Sequence, residues 1–75
     1  MQITDTWKQD GYTYAYCKCD DVPEKKDEYK VFVNGLQYII SKTDVDFMIG
    51  LSGARLIAFR LPGNIDIPKG QFAMQ

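Results

Sequence analysis

SKTDVDFMIGLSGARLIAFRL, residues 41–61, decides the fold class, because the hydrophobic pattern of the chain changes there. Ser41 or Thr43 suits a helix cap, and Thr43-Asp-Val-Asp46 approximates a capping box with Asp in place of Glu. Asp44 and Asp46 complement the positive end of a helix dipole. Val45, Met48 and Ile49 fall at i, i+3 and i+4, which is one apolar helical face. Gly50 and Gly53 supply the stop. The stretch predicts a helix of about two turns, too short to persist unless it packs on a sheet. Ala54–Leu61 then reads as a strand, closed by Pro62-Gly63-Asn64.

Two turn signals lie upstream. Asp10-Gly11 separates Ile3–Gln9 from Tyr12–Cys19, and Asn34-Gly35 separates Tyr29–Val33 from Leu36–Ile40. Both dipeptides suit type I′ turns, whose two central residues need positive φ, so each predicts a β-hairpin. Between the hairpins, CDDVPEKKDE is dense in charge and carries Pro23, which cannot donate to a ladder; it reads as a solvated loop. Downstream, Ile65 and Ile67 alternate with polar residues as a brief edge segment. The end, GQFAMQ, frays or docks by Phe72. The expectation is an α+β chain in the order ββββαβ: an antiparallel-rich sheet of two hairpins, one short helix and a final strand.

At 75 residues the chain allows a single domain, 1–75. A chain this short buries about 60–65% of the surface its unfolded form exposes. That leaves one thin two-layered core and no deep catalytic chamber. Apolar residues at 45% and charged residues at 25% are ordinary globular usage. No apolar run approaches the ~18–20 residues that cross a bilayer, so no membrane is expected as a partner. The N-terminus has neither the basic nor the apolar part of a secretion signal, and the expected location is cytoplasmic. The net charge is −1. Residues 1–28 hold seven acidic side chains against four basic ones, and residues 29–75 hold three against five. That mild polarity is not a nucleic-acid footprint.

Several chemistries are missing their parts. Histidine is absent, which removes the commonest general base, the commonest metal ligand and the Ser/His and Cys/His nucleophile pairs. Cys17 and Cys19 would share one face of a strand with Cα atoms ~6.5–7 Å apart, at the limit for a disulfide. They read as reduced, packed thiols in a cytosol-like compartment. Two thiolates cannot complete a zinc site unless a dimer supplies two more. Gly50-Leu51-Ser52-Gly53 lacks the spacing of a nucleophile elbow. The carboxylate pairs Asp20-Asp21 and Asp44/Asp46 have no cleft between them. No enzyme and no cofactor are expected.

The hairpin registers place the side chains. Around Asp10-Gly11, Trp7 faces Tyr14, Asp5 faces Tyr16 and Ile3 faces Lys18. One face then holds Ile3, Trp7, Tyr12, Tyr14 and Tyr16. Around Asn34-Gly35, Val31 faces Tyr38 and Tyr29 faces Ile40, while Phe32 and Ile39 lie on the reverse. One short helix cannot cover every apolar face. Either the tyrosine stripe curls into a small barrel-like core, the more economical reading for side chains that bury ~150–250 Å² each, or the surplus marks an interaction surface.

The interaction candidates are Trp7, Tyr12, Tyr14, Tyr16, Phe32, Ile39, Arg55 and Arg60. The expected function is a small non-enzymatic protein-binding module. Its general type is the compact inhibitor that viruses and mobile elements encode against host machinery, such as an anti-defence or anti-CRISPR protein in the host cytoplasm. It would act by occluding a partner protein's surface or by forming a homodimer. The alternative is a nucleotide or single-stranded nucleic-acid binder that stacks bases on Trp7 and the tyrosines, with Lys8, Lys18, Arg55 or Arg60 on phosphate. The near-neutral charge counts against it. A dimer bridged by metal through Cys17 and Cys19 is a third possibility.

Overall fold

In the computed structural model, residues 2–20, 24–50, 52–71 and 73–75 are described. The readings placed on Asp21, Pro23, Leu51 and Phe72 lie outside them. Strands β1 (Gln2–Gln9) and β2 (Tyr12–Cys19) form the first hairpin, and β3 (Glu28–Val33) and β4 (Leu36–Ser41) the second. A 3₁₀ turn at Lys42–Asp44 leads into β5 (Val45–Ile49), which pairs with β6 (Arg55–Pro62) as a third hairpin. Short strands β7 (Gly70–Gln71) and β8 (Ala73–Met74) follow.

The expected α+β order ββββαβ is therefore overturned: two antiparallel sheets form, and no α-helix forms among the described residues. The helix is the error. Ser41 does cap, its Oγ accepting from the Thr43 N–H at 3.3 Å, but it caps a single 3₁₀ turn. The chain then extends, because Val45 and Phe47 at two-residue spacing both reach the core side, opposite Phe59 and Ile57. A helix would turn Phe47 away from Val45, Met48 and Ile49. As a strand, the segment buries Val45, packs the half-buried Phe47 against the core and also supplies β6 with its second neighbour. Gly50 and Gly53 shape the β5–β6 turn, where the Gly50 N–H donates to the Ala54 carbonyl at 2.7 Å and Gly53 takes φ +80°.

Both dipeptide turns adopt the left-handed conformations their residues suit: φ is 52° and 79° at Asp10 and Gly11, and 52° and 77° at Asn34 and Gly35. The second hairpin pairs Val33–Leu36, Val31–Tyr38 and Tyr29–Ile40. The first pairs Gln9–Tyr12, Trp7–Tyr14 and Asp5–Tyr16, but its register shifts between Ile3 and Asp5. Thr4 is the extra residue of a bulge, which turns Ile3 to the opposite face. Ile3 pairs with Cys17 instead of Lys18 and is buried, so it leaves the face that carries Trp7 and the tyrosines. The Ile65–Ile67 stretch forms no strand, although Ile67 is buried.

The five-stranded sheet runs β5-β6-β2-β1-β7 and the three-stranded sheet β4-β3-β8. The chain passes from one sheet to the other three times: between β2 and β3, through the 3₁₀ turn between β4 and β5, and between β7 and β8. Gln75 extends the last corner by exchanging backbone hydrogen bonds with Lys30 at 2.7 and 2.8 Å. The core lies between the sheets. Ile3, Ala15, Cys17, Val45, Ile57, Phe59 and Leu61 come from the larger sheet, and Tyr29, Val31, Val33, Ile40 and Met74 from the smaller. Tyr29 reaches across to Phe47, ring centroids 6.1 Å apart, and its hydroxyl accepts from the Lys26 N–H at 3.0 Å. The buried Thr13 hydroxyl donates to the Gly63 carbonyl at 2.7 Å and accepts from the Ile65 N–H at 2.9 Å. It ties the 63–65 loop to β2 with no unmet polar atom. Cys17 and Cys19 are free thiols, the first buried. Cys17 therefore does not present its sulfur at the surface of the single chain, while Cys19 is partly exposed. Burial pushes the Cys17 thiol up to about 12.

Three measurements check this arrangement. Gly35 has open space around it but sits at positive φ. Gly35→Val is expected to cost well over about 1 kcal/mol through backbone strain alone, read from the urea midpoint. Phe47→Ala is expected to destabilise by about 2–3 kcal/mol and Met48→Ala by less than about 1 kcal/mol; a helix would reverse that order. The Cys17 thiol has a folded pKa above its unfolded one. Its contribution to stability is complete below the ordinary thiol range and is lost as pH rises from there toward about 12. Urea titrations between pH 7 and 10.5 should show a steeper loss in the wild type than in Cys17→Ala.

Candidate functional site

Strand parity divides the five-stranded sheet into two unlike faces. On β2, Thr13, Ala15 and Cys17 point into the core, and Tyr12, Tyr14, Tyr16 and Lys18 point out. β1 adds Asp5, Trp7 and Gln9 to the outer face, β6 adds Leu56, Ala58, Arg60 and Pro62, and β5 adds Asp46 and Met48. The tyrosine stripe is thus outside the core. The more economical of the two expectations, that it is buried, does not hold: Tyr16 is 39% exposed and Trp7 36%.

The outer aromatics organise one another. Trp7 and Tyr14 are cross-strand partners whose rings stack at 5.2 Å with 4° between their planes. Tyr16 tilts against Trp7 at 4.8 Å and 54°. Tyr12 tilts against Tyr14 at 6.4 Å and 55°. The Arg60 guanidinium lies 4.2 Å above the Tyr12 ring, a cation–π contact. Its Nε also donates to Asp44 Oδ1 at 2.7 Å, with both side chains partly covered. That bond first, and interaction with Tyr14 second, hold the guanidinium's pKa above its ordinary value. Asp44, expected to serve a helix dipole, instead fixes the one arginine of the aromatic cluster. A cleft of about 210 Å³ opens above Ala58, between Tyr14 on one side and Asp44, Asp46 and Arg60 on the other.

Of the eight candidates, five converge here: Trp7, Tyr12, Tyr14, Tyr16 and Arg60. The others do not. Phe32 and Ile39 are on the outer face of the three-stranded sheet, Phe32 half-buried beside Ala73 and Ile39 60% exposed. Arg55 lies at the end of β6, level with Cys19 and Ile49, where its guanidinium donates to the Asp20 carbonyl. Asp44, Asp46 and Ala58 were not foreseen as parts of the site. Their place depends on β6 pairing with β5, which the helical reading of residues 43–49 hid, and on β2 pairing with β6, a contact distant in sequence that no local turn signals.

Electrostatically the outer face is slightly acidic. Asp5, Asp44 and Asp46 outnumber Lys18 and Arg60 by one, and Arg60 is already paired with Asp44. Among the described residues there is no group of three or more side chains able to hold a metal ion. No helix among them is long and apolar enough to cross a membrane. The chain matches no protein-family model, no curated protein sequence and no solved structure, so its reading rests on the geometry of this face.

Proposed function

We propose that this chain is a non-enzymatic protein-binding module that works through the outer face of its five-stranded sheet. The observation that carries the reading is the Trp7–Tyr14 stack, with Tyr12, Tyr16 and Arg60 around it, on a sheet face turned away from the core and covered by no other element among the described residues. Tyr, Trp and Arg are the residues that concentrate binding energy at protein interfaces. Here their conformations are set before any partner arrives, which lowers the entropy cost of association. The occupant is another protein or a second copy of the chain, and the effect is occlusion of the surface it covers. The inhibitor type and the cytoplasmic location belong to this proposal as its biological setting.

A single nucleic-acid strand is the weaker reading. Bases stack on exposed aromatic planes, and this face offers them. Affinity for phosphate, however, needs unpaired cations beside the platform. Arg60 is committed to Asp44, and the remaining cation of the face, Lys18, stands against the carboxylates of Asp5 and Asp46.

Affinity capture from a host-cell lysate and sedimentation over a concentration series test the proposal. The wild type and Ile39→Ser should retain the same captured protein, or the same self-association. The double variant Trp7→Ser/Tyr16→Ser should lose it by about tenfold or more, with a lowered melting temperature but the sheet still formed by circular dichroism at the assay temperature. Single-stranded oligonucleotides should not bind at physiological salt. Oligonucleotide binding with a steep salt slope, abolished in the double variant, would replace this reading with its rival. Association lost in Ile39→Ser and kept in the double variant would move the interface to the other sheet.

A further inference from the structure

β7 pairs with β1 only at Gln2 and Ile3. The remainder of β1, from Asp5 to Gln9, has β2 on one side and, among the described residues, no strand on the other. In a two-residue hairpin the residues flanking the turn exchange hydrogen bonds, and the bonded pairs then alternate. Gln9, Trp7 and Asp5 therefore direct their N–H and C=O groups at β2. Thr6 and Lys8 direct theirs outward, along the open edge. Exposed edge groups of this kind are a template for another strand.

The open edge does not face free solvent. A groove of about 480 Å³ runs beside it, with Thr6, Lys8 and Thr13 on one side and Ile65, Asp66 and Ile67 on the other. Residues 65–68 would continue β7 along β1 if they stayed in the ladder. Pro68 lacks the N–H to do so, and the segment departs, leaving the slot. Asp66 holds the far wall in place: its carbonyl accepts from Asn34 Nδ2 at 2.8 Å and its carboxylate meets Lys8 Nζ at 3.3 Å. The second contact is exposed and holds little energy, so an incoming chain can displace it.

We propose that this groove binds an extended peptide segment of a partner protein by strand addition to β1, with the backbone of Thr6 and Lys8 as the recognition groups. The side chains of such a segment alternate. Those on the inner side meet Ile65, Ile67 and the Thr13 region, which suits β-branched or small apolar residues, and those on the outer side lie beside Trp7. The far wall favours a single extended chain over a second copy, whose own β1 carries the same wall. The inference is independent of the aromatic-face reading, since backbone groups and not Tyr12, Tyr14 or Tyr16 do the recognising.

The probe is a set of nine-residue peptides selected from a random displayed library on the wild-type chain. Bound peptide should slow hydrogen exchange of the Thr6 and Lys8 amides at least tenfold and leave that of Trp7 unchanged. N-methylation of the peptide at alternate amides should abolish binding in one register and spare it in the other. Tyr16→Ser should leave peptide affinity within twofold, which separates this site from the aromatic face. Lys8→Pro should lose binding, and if that variant fails to fold, the N-methyl series decides alone. Failure to select any peptide, indifference of the selected peptides to N-methylation, or protection confined to the amides of β5 and β6 would overturn the proposal. So would a stable wild-type dimer in which Thr6 and Lys8 are already protected.

Discussion

The constraint on which the structure depends is that β2, the middle strand of the larger sheet, can bury only one of its two faces. It buries the smaller one. Thr13, Ala15 and Cys17 are among the smallest side chains of the core, and they lie between β1 and the bulky Ile57, Phe59 and Leu61 of β6. Packed sheets sit about 10 Å apart, so the space between their inner faces is shared. Small residues on β2 leave the room that Tyr29 uses to reach Phe47 from the opposite sheet. Three tyrosines turned inward would overfill that space and would bring three hydroxyl groups that each need a partner. Once the small face is inside, the aromatic face is outside by parity, and the surface reading of the molecule follows from its core.

The bulge at Thr4 serves the same end. Without it, strict alternation from Trp7 would place Ile3 among the outer aromatics. One extra residue reverses parity for the last turn of the pleat and returns Ile3 to the core beside Cys17. The same strand therefore contributes Trp7 to the surface and Ile3 to the interior. The exposed aromatics also do not stand as isolated apolar area. Each touches another ring, and Arg60 ties the cluster to Asp44, the last residue of the 3₁₀ turn before β5. The outer face is consequently ordered by contacts within one chain, which is the condition for a surface to bind without first paying to organise itself.

The two parts of the fold that were legible in the sequence share a property: their information is local. Asp10-Gly11 and Asn34-Gly35 specify both a turn type and, by symmetry about it, the register of the flanking strands. The Asn34-Gly35 hairpin forms with the pairing its turn dictates. Residues 43–49 carry two superimposed patterns, Val45/Met48/Ile49 at helical spacing and Val45/Phe47/Ile49 at strand spacing. Nothing within seven residues separates them. What separates them is the free edge of β6 and the space beside Tyr29, both of which are set by residues distant in the chain. The same limit applied to the site. The aromatic stripe was visible from one hairpin, but its direction, and the meeting of Arg60 with Tyr12 and Asp44, required the order β5-β6-β2-β1.

Edges complete the logic of the architecture. A sandwich of short sheets has four lateral edges, each a row of backbone groups in need of partners. This chain joins them in pairs by turning two corners. The 3₁₀ turn carries β4 into β5 at one side, anchored by the Lys42 N–H on the Asp27 carbonyl at 2.9 Å. The C-terminal residues close the other side, pairing first with β1 and then with β3. That closure is brief because β7 begins only after Pro68. An unbroken strand over residues 65–71 would seal β1 along its length and move Ile65 and Ile67 into a ladder. The position of one proline thus exchanges a sealed edge for a walled groove, and the backbone of Thr6 and Lys8 keeps hydrogen-bonding capacity that a longer β7 would take up.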